Sequence, residues 1–208
     1  MLLCLDYDGV IVDSFDHLLR AAVQAQAALG HGRVPTAEDF RTIANLTFVD
    51  LAACIEIPRE HWRAYAQAFD RHLLATADHT AMFPEMGPIL RALAAGSALC
   101  VVTANMREVV TAKLAASGLE GVVSLVLGSE QPGSKTDKIR AAMAHFAASP
   151  QETWMVGDSR GDIRHGRAAG VRTAAVTWGY QPAAVLALEH PHRTISSPAQ
   201  LLTLSDPS

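Results

Sequence analysis

The chain has 208 residues, half of them hydrophobic and 18% charged, with a formal net charge of -4; so apolar a sequence is not disordered, and its length suits one core carrying a smaller insert. A pI near 6.1 and the absence of lysine before Lys113 exclude the clustered positive charge that nucleic-acid binding requires. The N-terminus reaches Asp6 and Asp8 with no basic segment before them, and the uncharged stretch 92–106 is too short and too interrupted to span a bilayer, so a soluble, cytoplasmic protein with no membrane partner is expected.

Residues 2–5 form a continuous apolar run of the kind buried on both faces of a sheet. Helical patterns follow at 15–29, closed by Gly30, at 36–45, opened by Thr36 and an acidic first turn, and at 58–75, opened by Pro58. No strand is predicted between 15 and 82. Thereafter helices at 85–95, 107–117, 138–148 and 161–169 alternate with strands at 98–103, 122–127, 153–156 and 172–176, and a last short strand follows the turn at His190. Strand and helix in alternation predict an α/β fold, a Rossmann-like parallel sheet flanked by helices. The all-helical segment 15–82 is then an inserted cap, with 1–14 and 83–208 as the core, and an insert so placed lies over the ligand crevice. Cys4, Cys54 and Cys100 are expected to be reduced packing residues, and Trp62, Tyr65 and Phe69, spaced by 3 and 4, the core of the cap.

In open α/β sheets ligands bind beyond the carboxyl ends of the strands, and here those ends are polar. The first strand runs into Asp6-Tyr7-Asp8-Gly9-Val10, the second into Thr103-Ala104-Asn105, the fourth into Gly157-Asp158-Ser159-Arg160-Gly161-Asp162, and Lys135 stands after the third. Four carboxylates, a hydroxyl and a lysine thus converge on one rim. Burying carboxylates is costly unless a cation offsets them, and oxygen ligands favour a hard ion such as Mg²⁺. Taken singly, Asp158 and Asp162 could equally be the N-cap and a first-turn acid of the following helix.

These segments, in this order, resemble the four motifs of the haloacid dehalogenase superfamily, and the helical segment 15–82 is similar to that superfamily's cap of the phosphoglycolate phosphatase-like kind. The resemblance implies that Asp6 is the nucleophile, forming an aspartyl phosphate, and that Asp8 is the general acid and base. It further implies that Mg²⁺ is held by Asp6, the Asp8 backbone carbonyl, Asp158 and Asp162. Thr103 and the N–H groups of Ala104 and Asn105 would then bind the phosphate, Gly9 would let the loop approach it, and Lys135 would offset negative charge. Lys138 competes for the lysine role; Lys135 is preferred because it precedes the predicted helix, whereas Lys138 is expected on its solvent face.

Asp8 supplies the acid that an ester's leaving oxygen needs and a dehalogenase does not. The lack of lysine between 15 and 82 disfavours the Schiff-base chemistry that related phosphonoacetaldehyde-cleaving proteins place in the cap. The expected activity is Mg²⁺-dependent hydrolysis of a small phosphorylated metabolite. A phosphoryl transfer like that of β-phosphoglucomutase, or a non-catalytic phosphate-binding regulatory module, remains an alternative, and a monomer and a homodimer are both open.

Overall fold

The computed structural model describes residues 1–43, 47–75 and 80–205. The chain begins with β1 (Leu2–Leu5) and a two-residue strand β2 (Val12–Asp13), then enters four helices, α1 (Phe15–Leu29), α2 (Ala37–Thr42), α3 (Phe48–Cys54) and α4 (Trp62–Ala75). It returns through β3 (Ala81–Met82) and then alternates: α5 (Met86–Ala94), β4 (Ala98–Val102), α6 (Arg107–Ala116), β5 (Leu125–Leu127), α7 (Lys135–Phe146), β6 (Thr153–Gly157), α8 (Arg160–Ala169), β7 (Arg172–Val176), α9 (Ala183–Ala187) and β8 (Arg193–Ile195).

Six strands form one sheet in the order β5-β4-β1-β6-β7-β8, and every neighbouring pair is parallel. The chain works outward from β1 to β4 and β5 on one side, then to β6, β7 and β8 on the other, so the order reverses beside β1 and opens a crevice at its carboxyl end. Side chains along β1 alternate between the two faces. Leu3 and Leu5 join a cluster with Leu90 of α5, Val110 of α6, Val101 and Val156; Leu2 and Cys4 join Ile139 of α7, Cys100 and Met155. Each fully buried leucine contributes about 1.5–3 kcal/mol by leaving water, which is why the apolar run at 2–5 becomes the central strand. Cys4 and Cys100 lie opposite one another in register, buried and free; Cys54 is free and half-buried.

Helices α1 to α4 close around a second cluster, with Ala22, Phe40, Leu51, Tyr65 and Phe69 buried and Trp62 packed against it. Several elements differ from expectation. β3 falls within the interval read as strand-free, and pairs antiparallel with β2. α3 was not anticipated; Thr47 caps it by accepting from the Asp50 N–H at 3.1 Å. The helix expected over 36–45 ends at Thr42, and residues 44 and 45 of that expectation lie outside the described residues. α7 starts at Lys135 rather than 138, because Ser134 and Asp137 form a capping box three residues apart. Among the described residues no helix is long and apolar enough to cross a membrane.

Candidate active site

The loops after β1, β4 and β6 and the first turn of α7 meet at the crevice. Lys135, at the N-terminus of α7, places Nζ 2.8 Å from Asp6 Oδ2 and 2.5 Å from Asp162 Oδ1. Asp6, Asp158 and Asp162 are buried and each offers an oxygen within 4.8 Å of the others. Asp162 stands three residues into α8 and also accepts, through Oδ2, from the N–H (3.1 Å) and hydroxyl (2.6 Å) of Ser159. Ser159, not Asp158, is therefore the N-cap. Asp158 Oδ2 accepts from the Tyr180 N–H at 2.7 Å, while its Oδ1 is buried without a hydrogen-bond partner.

Asp8 is held from two sides. Ser14 Oγ donates to Oδ1 at 2.6 Å and Asn105 Nδ2 to Oδ2 at 3.1 Å. Because Ser14 has a single proton and gives it to Asp8, the Tyr180 hydroxyl 2.6 Å away donates to Ser14. Thr103 is buried, and its Oγ1 accepts from the Asn105 backbone N–H at 3.0 Å; that N–H, expected to bind phosphate, is thus engaged locally. Ala104 lines the same cavity.

Burial pushes the Asp6 carboxyl up to about 7 against the opposing pull of Lys135. It also raises Asp8, with the Ser14 and Asn105 hydrogen bonds pulling back, and raises Asp158, with Asp162 and Asp6 adding to the effect. For Lys135 burial acts downward, but Asp162 and Asp6 outweigh it and the ammonium is held charged. One cation is therefore shared by two of three clustered carboxylates, and the third keeps an unpaired oxygen. This donor set, all hard oxygen and short of positive charge, fits a Mg²⁺ ion.

Gly9 has φ 76°, and a Cβ there would run into the Asp158 carboxylate; a Cβ on Gly179 would meet Asp158 from the other side. Close packing against Asp158 is thus a reason for Gly9 that the sequence reading did not supply. Lys138 is a correction: it is not on a solvent face but buried, its Nζ donating to the carbonyls of Thr103 (3.1 Å) and Gly128 (2.7 Å). The three-residue offset turns it inward alongside Lys135 once α7 starts at 135.

The crevice is a cavity of about 330 Å³ between the sheet and the helices above it. Asp6, Asp8, Thr103 and Lys135 form its floor, and Leu18, Phe40, Ile43, Phe48, Leu51 and Phe69 its roof.

Residues 3–176 match the model of the haloacid dehalogenase-like hydrolases. The chain belongs to this family. The hydrolase is 30% identical to a phosphoglycolate phosphatase of Chromobacterium violaceum over 96% of this chain and 93% of that one. It is also 30% identical to a phosphoglycolate phosphatase of Aquifex aeolicus over 68% of each. Its fold superposes on that of a haloacid dehalogenase-like hydrolase of Streptococcus pneumoniae with a TM-score of 0.87 at 19% identity, covering 99% of this chain and 98% of that one. It superposes on a predicted phosphoglycolate phosphatase of Haemophilus somnus with a TM-score of 0.84 at 21% identity, covering 99% and 97%. The expected α/β sheet flanked by helices, and the expected phosphoric monoester hydrolase class, are those of these relatives.

Sequence reasoning missed several of the hydrolase's site-building residues. Ser14 and Tyr180 reach Asp8 from positions 166 residues apart. Gln181, buried, accepts from the Arg160 N–H at 2.7 Å and donates to the Ile43 carbonyl at 2.8 Å, tying the first turn of α8 to the end of α2. In the helical segment Thr47 lines the cavity, whereas Arg20, Arg41 and Arg63 are exposed and outside its lining.

Proposed function

We propose that the protein is a Mg²⁺-dependent phosphatase of a small phosphorylated metabolite, acting through a phosphorylated Asp6. The observation that carries this reading is the buried, partnerless Asp158 Oδ1 beside Asp6 and Asp162, next to a second carboxylate, Asp8, oriented by Ser14 and Asn105. Asp6, Asp158 and the Asp8 backbone carbonyl would hold the ion, with Asp162 beside them. When bound, Mg²⁺ supplies the positive charge that keeps these carboxylates ionised and screens the incoming phosphate.

Asp6 attacks phosphorus, a bond forms between its oxygen and phosphorus, and the bond to the ester oxygen breaks as Asp8 delivers a proton to the leaving alcohol. A water molecule then attacks the phosphorylated Asp6, Asp8 accepts its proton, and phosphate leaves with Asp6 restored. Asp8 must carry a proton while Asp6 does not; burial raises both carboxyls, and the Lys135 ammonium 2.8 Å from Asp6, together with the charge Mg²⁺ would add there, favours the ionised form of Asp6. Thr103 and Ala104 would bind phosphoryl oxygens at the end of β4, with Lys135 countering their charge; Asn105 contributes chiefly by orienting Asp8. The helical cap would exclude bulk water during the reaction.

Phosphate release from a panel of phosphate monoesters tests the proposal. Turnover is expected with Mg²⁺, lost in EDTA and lost in Asp6→Asn. Hydrolysis that survives both EDTA and Asp6→Asn would overturn it.

A further inference from the structure

The roof of the cavity is unlike its floor. Among the described residues that line the cavity from α1 to α4 there is no Lys, Arg or His; the lining side chains are aliphatic or phenyl, apart from Thr47. Phe48 and Phe69 meet edge to face at 4.9 Å, so this roof includes a formed aromatic pair. The cation-capable side chains that do reach the cavity, Lys135, Lys138 and His165, lie in the floor and are engaged: Lys135 by two carboxylates, Lys138 by two carbonyls and His165 through Nδ1 by the Thr136 hydroxyl at 2.9 Å. The exposed Arg41 stacks over the Phe15 ring, 5.6 Å from its centroid. By sequence, segments 44–46 and 76–79 contain neither Lys nor Arg.

A leaving group that carries a carboxylate, as glycolate does, would have to bury that charge against phenyl and isobutyl groups without a matching cation. An apolar leaving group would instead replace water there and fill the space. The cavity volume of about 330 Å³ holds more than the phosphate, since a cavity of about 150 Å³ already takes a benzene ring. We propose that the site prefers phosphate monoesters of alcohols bearing an uncharged apolar body about the size of a benzene ring over esters bearing a carboxylate. This rests on the phosphatase reading above and names the substrate class for the same site.

The test compares kcat/KM of the full chain with Mg²⁺ for benzyl phosphate, glycerol 1-phosphate and 2-phosphoglycolate. All three are esters of primary alcohols, so leaving-group class does not decide the ranking. Benzyl phosphate is expected to exceed 2-phosphoglycolate by about tenfold or more. Phe48→Ala should reduce that ratio at least about fivefold, and Ile43→Arg, which introduces a cation at a half-buried roof position, should reduce it further. Equal or better turnover of 2-phosphoglycolate by the unaltered protein overturns the inference and leaves the phosphatase reading standing, as does a ratio that neither substitution moves. No turnover of the three esters or of the acyl phosphate acetyl phosphate overturns the phosphatase reading and this inference with it.

Discussion

Tyr7 lies between Asp6 and Asp8, the two carboxylates of the proposed chemistry, yet its hydroxyl is buried with no hydrogen-bond partner, and burial pushes that phenol well above its ordinary range. A hydroxyl without a partner costs about 1–3 kcal/mol in desolvation. Tyr7→Phe is therefore expected to retain turnover and to gain about 1 kcal/mol in urea unfolding; a loss of stability would show that the hydroxyl has a partner. The two lysines of α7 separate by role. Lys135→Met removes the ammonium beside Asp6 and should lower kcat about 10²–10³-fold. Lys138→Met leaves the Thr103 and Gly128 carbonyls without their donor and should cost about 1–3 kcal/mol of stability, with the smaller loss of kcat. Asp6, Asp8, Thr103, Lys135, Asp158 and Asp162 could be picked out in the sequence because each stands at a strand end or in the short connection after one. Ser14, Tyr180 and Gln181 could not, since a hydroxyl or amide in a turn has no spacing pattern and meets its partners only after the chain has folded.

At the level of elements, legibility tracked burial. β1 could be bounded from its uninterrupted apolar run, whereas β2 and β3 have two residues each, too few for any periodicity. The start of α7 was readable in principle, since Ser134 and Asp137 carry the capping-box spacing, but the helical pattern around Ile139 pulled the boundary inward. The N-terminus of α2 carries a denser version of the same device. Asp39 accepts from the Thr36 N–H at 2.7 Å and hydroxyl at 2.8 Å, is paired with Arg33, and receives the Cys54 thiol at 3.4 Å. The Arg33 guanidinium, foremost among these, holds the Asp39 carboxyl well below the usual carboxylate range. A folded-state pKa that is depressed stabilises the protein above the unfolded value, near pH 4, and the gain is lost as pH falls through the folded value. Asp39→Asn should accordingly lower Tm by about 2–4 °C at pH 6, and the gap to the unaltered protein should begin to narrow below about pH 4 and close only as pH falls through the depressed folded value. A gap that does not vary with pH would show that the charge contributes nothing.

In the whole molecule, helices α1 to α4 and the sheet centre on separate hydrophobic clusters joined by polar and aromatic contacts. Phe15 meets Tyr180 edge to face at 5.2 Å, and Gln181 bridges α8 and α2. Gln181→Leu strands two backbone groups and should cost about 1–3 kcal/mol. Its distinguishing mark is faster amide exchange in α2 than in the central strands, and uniform acceleration across the chain would assign Gln181 to general packing instead. The covalent connection is narrower still, for the chain leaves the core at β2 and re-enters at β3, with Val12 opposite Met82 and Asp13 opposite Ala81. Directly opposed residues of an antiparallel pair stand only about 5 Å apart, so the sheet experiences everything between them as a single stitched loop. The entropy of closing such a loop rises only logarithmically, by about 0.6 kcal/mol for each doubling of its length. What hangs from this neck can therefore be enlarged, trimmed or exchanged at little entropic cost while the strands that present Asp6 and Asp158 keep their register.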